Sequence, residues 1–216
     1  GLFRLDKDSD TFIKYPSLGA NNNPFRIFQD NKQQFWICTW GGGLFLFYPD
    51  KPKEEMYIPI DIYNKDSKIK EQTFFSITQD DKNGYIWVVS FSGLHTLEYT
   101  DQGKWKEVDI SQHFSDFNNI YSEIVKDRNG NLWVGAYSEG IININFDKPD
   151  IKNIDLSSIK HSTGITPNVT SIYKDNEGLI WFNQNRWGLG VYNPETRKIK
   201  LSSEPELEYL KDFIFA

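Results

Sequence analysis

A tryptophan that returns four times constrains the fold of this chain more than any other feature. Trp36, Trp87, Trp133 and Trp181 lie 51, 46 and 48 residues apart, and each directly follows an apolar residue: Phe35, Ile86, Leu132 or Ile180. Six or seven residues earlier stands an aspartate, at Asp30, Asp80, Asp127 and Asp175. A glycine sits three before the tryptophan at Gly84, Gly130 and Gly178; Gln33 replaces it in the first unit, and Asp81 adds a turn residue to the second. Downstream come Gly43-Leu44, Gly93-Leu94, Gly140-Ile141 and Gly188-Leu189. Self-similarity at this period marks a repeat architecture, in which each unit buries its apolar face only against its neighbours.

One unit shows what the others are. Residues 119–146 run from an apolar stretch into Asp127-x-Asn129-Gly130, leave as Leu132-Trp133-Val134-Gly135, pass a short loop and resume at Gly140. Short runs joined by tight Gly-containing turns predict a hairpin extended to a meander. A fourth, variable strand follows in each unit, at 55–58, 104–108, 151–154 and 198–201. Four-stranded antiparallel sheets repeated at this spacing predict an all-β fold of β-propeller blades. No segment keeps a helical period long enough to compete.

The expected organisation is a single propeller fragment. Complete blades cover approximately residues 25–60, 73–108, 119–154 and 168–201, with a partial blade at 1–15 and a single strand at 211–216. The chain reads as a sector of a seven-bladed ring. The alternative is a five-bladed closure in which 213–215 joins the strands of 1–15.

The repeated aspartates and glycines look like a calcium constellation only if their period is ignored. Asp127-x-Asn129-Gly130 is too short for a twelve-position calcium loop ending in a bidentate glutamate. Asp side chains bond to nearby amides and Gly accepts positive φ, so Asp30, Asp80, Asp127 and Asp175 with Gly84, Gly130 and Gly178 are read as structural turns. Trp36, Trp87, Trp133 and Trp181 are read as inter-blade packing.

Residues that differ between repeats at one loop position carry more functional information. The turn after each tryptophan strand holds Trp40, Phe91, Tyr137 and, from a slightly different place, Asn185, Arg186 and Trp187. In a meander these turns share one end of the blades. Aromatic faces and an arginine around a shallow polar opening suit an extended ligand that is stacked and hydrogen-bonded. The other reading of the same aromatics is that they cap the ends of blade interfaces.

Other chemistry has little support. His95, His113 and His161 are scattered without zinc-ligand spacing, and no nucleophile-elbow or phosphate-cradling glycine motif is present. The expectation is no catalytic site, no metal and no cofactor, although a carboxylate pair for glycoside chemistry could be assembled in space. Cys38 is the single cysteine and is expected to pack as a small buried hydrophobe. The formal charge of -6 argues against nucleic acid and is neutral toward a sugar.

The repeated pattern resembles the two-component regulator propeller repeat. Asp127, Gly130, Leu132, Trp133, Val134, Gly135, Gly140 and Ile141 carry it, as do Asp175, Gly178, Ile180, Trp181, Gly188 and Leu189. Asp80, Gly84, Ile86, Trp87, Val88, Gly93 and Leu94 form a third copy, and Asp30, Trp36, Thr39, Gly43 and Leu44 a fourth. Departures are Gln33 for Gly, Phe182-Asn183 after Trp181, and Val89-Ser90 for Gly-Thr.

The resemblance implies a periplasmic sensor segment of an inner-membrane-anchored hybrid two-component histidine kinase of Bacteroides type. Its expected partners are an oligosaccharide ligand, the remainder of the sensor protein and a second copy in a homodimer, with no direct nucleic-acid contact by this segment. A propeller polysaccharide lyase or glycosidase, or a purely structural dimerisation or spacer module, are the alternatives.

Overall fold

The computed structural model describes residues 1–19, 23–60, 73–110, 120–137, 140–146, 150–156, 168–184 and 188–201. All regular structure among them is β-strand. Four antiparallel four-stranded sheets follow a two-stranded one, and strands are neighbours in the sheet in the order they occur in the chain. The two-stranded sheet is β1 (Phe3–Asp6) with β2 (Thr11–Lys14).

The first full sheet contains β3 (Asn23–Gln29), β4 (Phe35–Trp40), β5 (Leu44–Phe47) and β6 (Tyr57–Pro59). The second contains β7 (Phe74–Gln79), β8 (Ile86–Ser90), β9 (Gly93–Tyr99) and β10 (Trp105–Val108). The third contains β11 (Tyr121–Lys126), β12 (Leu132–Ala136), β13 (Gly140–Asn145) and β14 (Asp150–Ile154). The fourth contains β15 (Val169–Lys174), β16 (Ile180–Gln184), β17 (Gly188–Asn193) and β18 (Lys198–Leu201).

These sheets stack face to face as propeller-like blades. First strands lie side by side, with β7 against β3 and β4, β11 against β7 and β8, and β15 against β11 and β12. Central strands are covered on both faces, so β8 and β12 are buried along their whole length, whereas β6 and β18 are partly exposed. This explains continuous apolar runs such as Ile86-Trp87-Val88-Val89 where a half-buried strand would alternate.

The core consists of inter-blade layers. Trp36, Cys38 and Leu46 of the first blade meet Phe74, Ile77, Ile86 and Val88 of the second. Trp87 and Val89 meet Tyr121, Ile124 and Val134 of the third, and Trp133 meets Val169, Ile172 and Phe182 of the fourth. Each of these tryptophans also reaches an aromatic ring of the next blade: Trp36 to Trp105 at 4.7 Å, Trp87 to Phe146 at 5.8 Å and Trp133 to Tyr192 at 6.1 Å. Trp181, in the last described blade, is half-buried.

Leu2 and Tyr15 pack the two-stranded sheet onto Ile37, Phe45 and Phe47. Its other face leaves Phe3, Leu5 and Phe12 exposed. Residues 202–216, including the expected strand at 211–216, lie outside the described residues, and with them the contact on which five-bladed closure depends.

Each aspartate turn is built alike. Asp127 Oδ1 accepts the amides of Asn129 and Asn131 at 2.8 and 3.1 Å, while its Oδ2 accepts the indole N–H of Trp133 at 2.9 Å. The same indole bond recurs between Trp36 and Asp30, Trp87 and Asp80, and Trp181 and Asp175, at 2.9, 2.8 and 2.6 Å. One carboxylate thus fastens both the turn and the next strand's tryptophan. Burial alone would raise the pKa of Asp127 and of Asp175, but the indole and turn hydrogen bonds outweigh it and hold both below the usual value.

The residue just before this aspartate latches the preceding blade. Gln79 accepts the amide of Asn31 at 2.8 Å, Lys126 pairs with Asp81, and Lys174 Nζ lies 3.6 Å from Asp127.

Candidate functional site

The four first strands share a β-bulge at one position, five residues before the aspartate. Register shifts there in β3, β7, β11 and β15, leaving Phe25, Phe75, Ser122 and Thr170 unpaired in the ladder. A bulge bends its strand and re-aims the extra side chain. In the third blade Ser122 turns its hydroxyl to the Val169 carbonyl of the fourth, at 2.8 Å. In the first two blades the bulged side chain is a phenyl ring.

Those two rings join the turn residues selected from the sequence. Trp40 ends β4 and Phe91 occupies the β8–β9 turn, with ring centroids 5.7 Å apart. Phe75 lies under both, 5.8 Å from Trp40 and 4.7 Å from Phe91, and Phe25 stands 6.0 Å from Phe75 and 6.4 Å from Trp40. The contacts are tilted or edge-on, as ring quadrupoles favour. Phe75 is buried, while Trp40, Phe91 and Phe25 are 48%, 41% and 58% exposed.

The result is a shelf of three open rings over one buried ring, spanning two neighbouring blades. Gly41 N–H donates to Thr73 Oγ1 at 3.0 Å, which ties the Trp40 turn to the second blade.

The structure therefore brings together Trp40 and Phe91 and adds Phe25 and Phe75. Tyr137 follows β12 and is half-buried, its amide donating to the Ile120 carbonyl at 3.0 Å; among the described residues it makes no ring contact with Trp40 or Phe91. Asn185, Arg186 and Trp187 lie outside the described residues. Phe25 and Phe75 could have been found by extending the comparison of repeats to the position five before each aspartate, which holds Phe in the first two units and Ser and Thr in the last two.

Beside Phe25, Arg26 reaches across to the third blade and pairs with Glu123 at 2.9 Å. Burial raises the Glu123 pKa above the usual value, outweighing Arg26 and the Ile172 amide, both of which favour the carboxylate. Cys38 is buried and burial pushes its thiol pKa well up, so it stays a neutral packing group.

Away from the shelf, a groove of about 680 Å³ opens at the outer edge of the first two blades, lined by Tyr48, Ile58, Tyr99, Lys104 and Trp105. Lys32 Nζ sits 4.6 Å from the Tyr99 ring centre there. Among the described residues no group of three or more His, Cys, Asp or Glu side chains is placed to hold a metal ion. Nor is there among them a helix long and apolar enough to cross a membrane. His95 is buried in β9 with both ring nitrogens hydrogen-bonded, an environment its sequence neighbours did not reveal.

Comparison with known proteins agrees with this architecture. Residues 115–138 match the family model described as two component regulator propeller. No curated protein matches the chain.

Among solved structures, the chain is similar to the extracellular domain of BT4673 from B. thetaiotaomicron, assigned as a one component system. The TM-score is 0.67 at 19% identity, covering 91% of this chain and 27% of that one. It is also similar to the extracellular domain of BT3049 from B. thetaiotaomicron, assigned as a hybrid two component system, with TM-score 0.61 at 21% identity over 90% of this chain and 28% of that one. Virginiamycin B lyase from Staphylococcus aureus aligns with TM-score 0.63 at 18% identity, over 94% of this chain and 62% of the lyase. The chain spans little more than a quarter of the two extracellular domains' length, 27% and 28%. At these identities the shared property is the fold.

Proposed function

We propose that this chain is a recognition segment of an extracytoplasmic sensor in a hybrid two-component signalling protein, reading oligosaccharides released by polysaccharide breakdown. The observation that carries this is the shelf of Phe25, Trp40 and Phe91. Three open rings on two adjacent blades offer apolar faces to the C–H faces of sugar rings, at the end of a fold that also occurs in the BT4673 and BT3049 extracellular domains.

Arg186, Trp187, Asn185 and Tyr137 are proposed to extend the surface along the neighbouring blades. The segment is a sector of a larger, seven-bladed ring, and the exposed Phe3, Leu5 and Phe12 suit a blade face made to be covered. The whole protein would be periplasmic on this side, anchored in the inner membrane and dimeric.

Titration calorimetry with a panel of purified oligosaccharides tests the reading. Saturable binding that weakens at least about tenfold in both Trp40→Ala and Phe91→Ala supports it. Binding that ignores both variants but is lost in Tyr99→Ala moves recognition to the outer groove. Conversion of a glycan into product would favour the lyase or glycosidase reading instead.

A further inference from the structure

A chain of three polar side chains adjoins the aromatic shelf. Ser92 is exposed in the two-residue turn between β8 and β9, next to Phe91. Its hydroxyl lies 3.0 Å from His95 Nε2, and His95 Nδ1 lies 3.0 Å from Glu107 Oε1 on β10. The imidazole is only 5% exposed and Glu107 14%, so the pair is shielded while the hydroxyl at its end is open to solvent. Ser90 supports the turn from below, its Oγ accepting the Ser92 amide at 3.0 Å and lying 2.9 Å from Ser92 Oγ.

A carboxylate only accepts, so Nδ1 carries the hydrogen toward Glu107. In that tautomer Nε2 presents one lone pair, approached by two hydroxyls: Ser92 Oγ at 3.0 Å and Ser90 Oγ at 3.2 Å. The shorter contact favours Ser92 as the donor to Nε2, which leaves its oxygen free to attack, while the Ser90 hydroxyl has Ser92 Oγ at 2.9 Å and the Gly93 carbonyl at 3.4 Å as acceptors. A hydroxyl bonded to an imidazole whose second nitrogen is held by a carboxylate is the arrangement that activates a serine.

We propose that Ser92 is a reactive nucleophile toward small acyl esters, with His95 as its base and Glu107 as the residue that positions the imidazole. Ser92 Oγ forms a bond to the acyl carbon as its proton passes to His95 Nε2. The ester C–O bond breaks, and the departing alkoxide takes that proton and leaves as the alcohol. Water then attacks the acyl-serine, giving its proton to His95; the carboxylic acid departs, and the proton returns to Ser92. The sum is ester plus water giving acid plus alcohol. Trp40 and Phe91 provide the apolar surface on which the ester would rest. This activity goes beyond the recognition reading and does not depend on it.

The test uses the 216-residue chain and an alkyl fluorophosphonate, whose fluoride Ser92 would displace to form a stable phosphonyl ester. Peptide mass mapping over time is expected to show Ser92 modified at least about a hundredfold faster than the exposed Ser9, which has no imidazole partner. His95→Gln is expected to remove that advantage.

Glu107→Gln should reduce it, because the Gln side chain can donate to Nδ1 as well as accept from it and so no longer holds the hydrogen there. Nitrogen NMR of His95 would show this tautomer exchange, which mere structural support by Glu107 would not produce. Hydrolysis of p-nitrophenyl acetate should follow the same order and disappear in Ser92→Ala. Equal labelling of Ser92 and Ser9 in the unaltered chain would overturn the proposal without reference to any variant's folding. So would Ser92 labelling that survives His95→Gln. Glycan binding plays no part in these readouts, so failure here leaves the recognition reading standing.

Discussion

Trp133 donates its indole N–H to Asp127 Oδ2 across 2.9 Å, inside the same blade, while its ring packs against Tyr192 of the next. One residue therefore joins a turn to a strand and one blade to another. Asp127→Ala removes the acceptor for the indole, for two turn amides and for the Asn131 side chain. We expect a loss of about 3 kcal/mol at neutral pH by urea denaturation. Trp133→Phe keeps an aromatic ring in the layer and should cost about 1–2 kcal/mol. The double variant should show non-additivity of similar size, whereas simple additivity would mean that the indole bond contributes nothing.

The pH dependence of that contribution has a definite sign. The folded pKa of Asp127 lies below its unfolded value of about 3.9. Its stabilisation is therefore present above that pH and disappears as pH falls through the folded pKa. The stability difference between the unaltered chain and Asp127→Ala should narrow below about pH 4. A gap that stays constant down to acid unfolding would remove the carboxylate's charge from the account.

Gln33 stands where the other turns place glycine, and its φ of 63° lies in the left-handed region, close to the 71°, 80° and 88° of Gly84, Gly130 and Gly178. A side chain there costs about 1–2 kcal/mol, partly offset because glycine gains more freedom in the unfolded chain. Gln33→Gly is expected to raise stability by about 0.5–1 kcal/mol. Unchanged or lower stability would show that the Gln29 to Gln33 side-chain bond, at 3.0 Å, compensates the backbone.

The sequence made the blades legible because a tryptophan, an aspartate and a Gly-Leu or Gly-Ile pair each return once per four-stranded sheet. It also selected Trp40 and Phe91, since their turn position varies while the flanking residues repeat. Phe25 and Phe75 stand at a repeat position whose residue type differs between units, but only the bulge, which turns them out of the ladder, shows that this position faces those rings. The latch from Gln79 to Asn31 and the Ser92–His95–Glu107 chain were hidden for another reason. Each joins residues on different strands or blades, and neither contains a spacing that a linear motif would display. The indole-to-aspartate bond lay within the repeated pattern, but separate roles for the two residues explained the pattern equally well.

Gly135 tests how closely the blades must approach. Its φ is not in the left-handed region, so the effect of a side chain is one of space alone. A Cβ there would lie 2.9 Å from Ser122 Oγ and 2.9 Å from Val169 Cγ1, the latter on the next blade. Gly135→Ala should destabilise by about 1–3 kcal/mol as the third and fourth blades separate. If the substitution is neutral or stabilising, the β12 to β15 contact is looser than this packing implies.

Glu123 gives the opposite pH response to Asp127. It lies between blades, paired with Arg26 at 2.9 Å and accepting the Ile172 amide, yet burial outweighs both and raises its folded pKa. A group with a raised pKa contributes fully below its unfolded value, about 4.3 for Glu, and loses that contribution as pH rises through the folded one. Glu123→Gln keeps an acceptor for the amide and removes the buried charge, and the freed Arg26, with its side chain 44% exposed, can be solvated by water. The variant should therefore gain stability relative to the unaltered chain between about pH 4 and pH 7, read from urea midpoints at the two values. A relative loss over the same range would mean that Arg26 prevails over burial, so that the ion pair across the first strands holds the blades together at neutral pH.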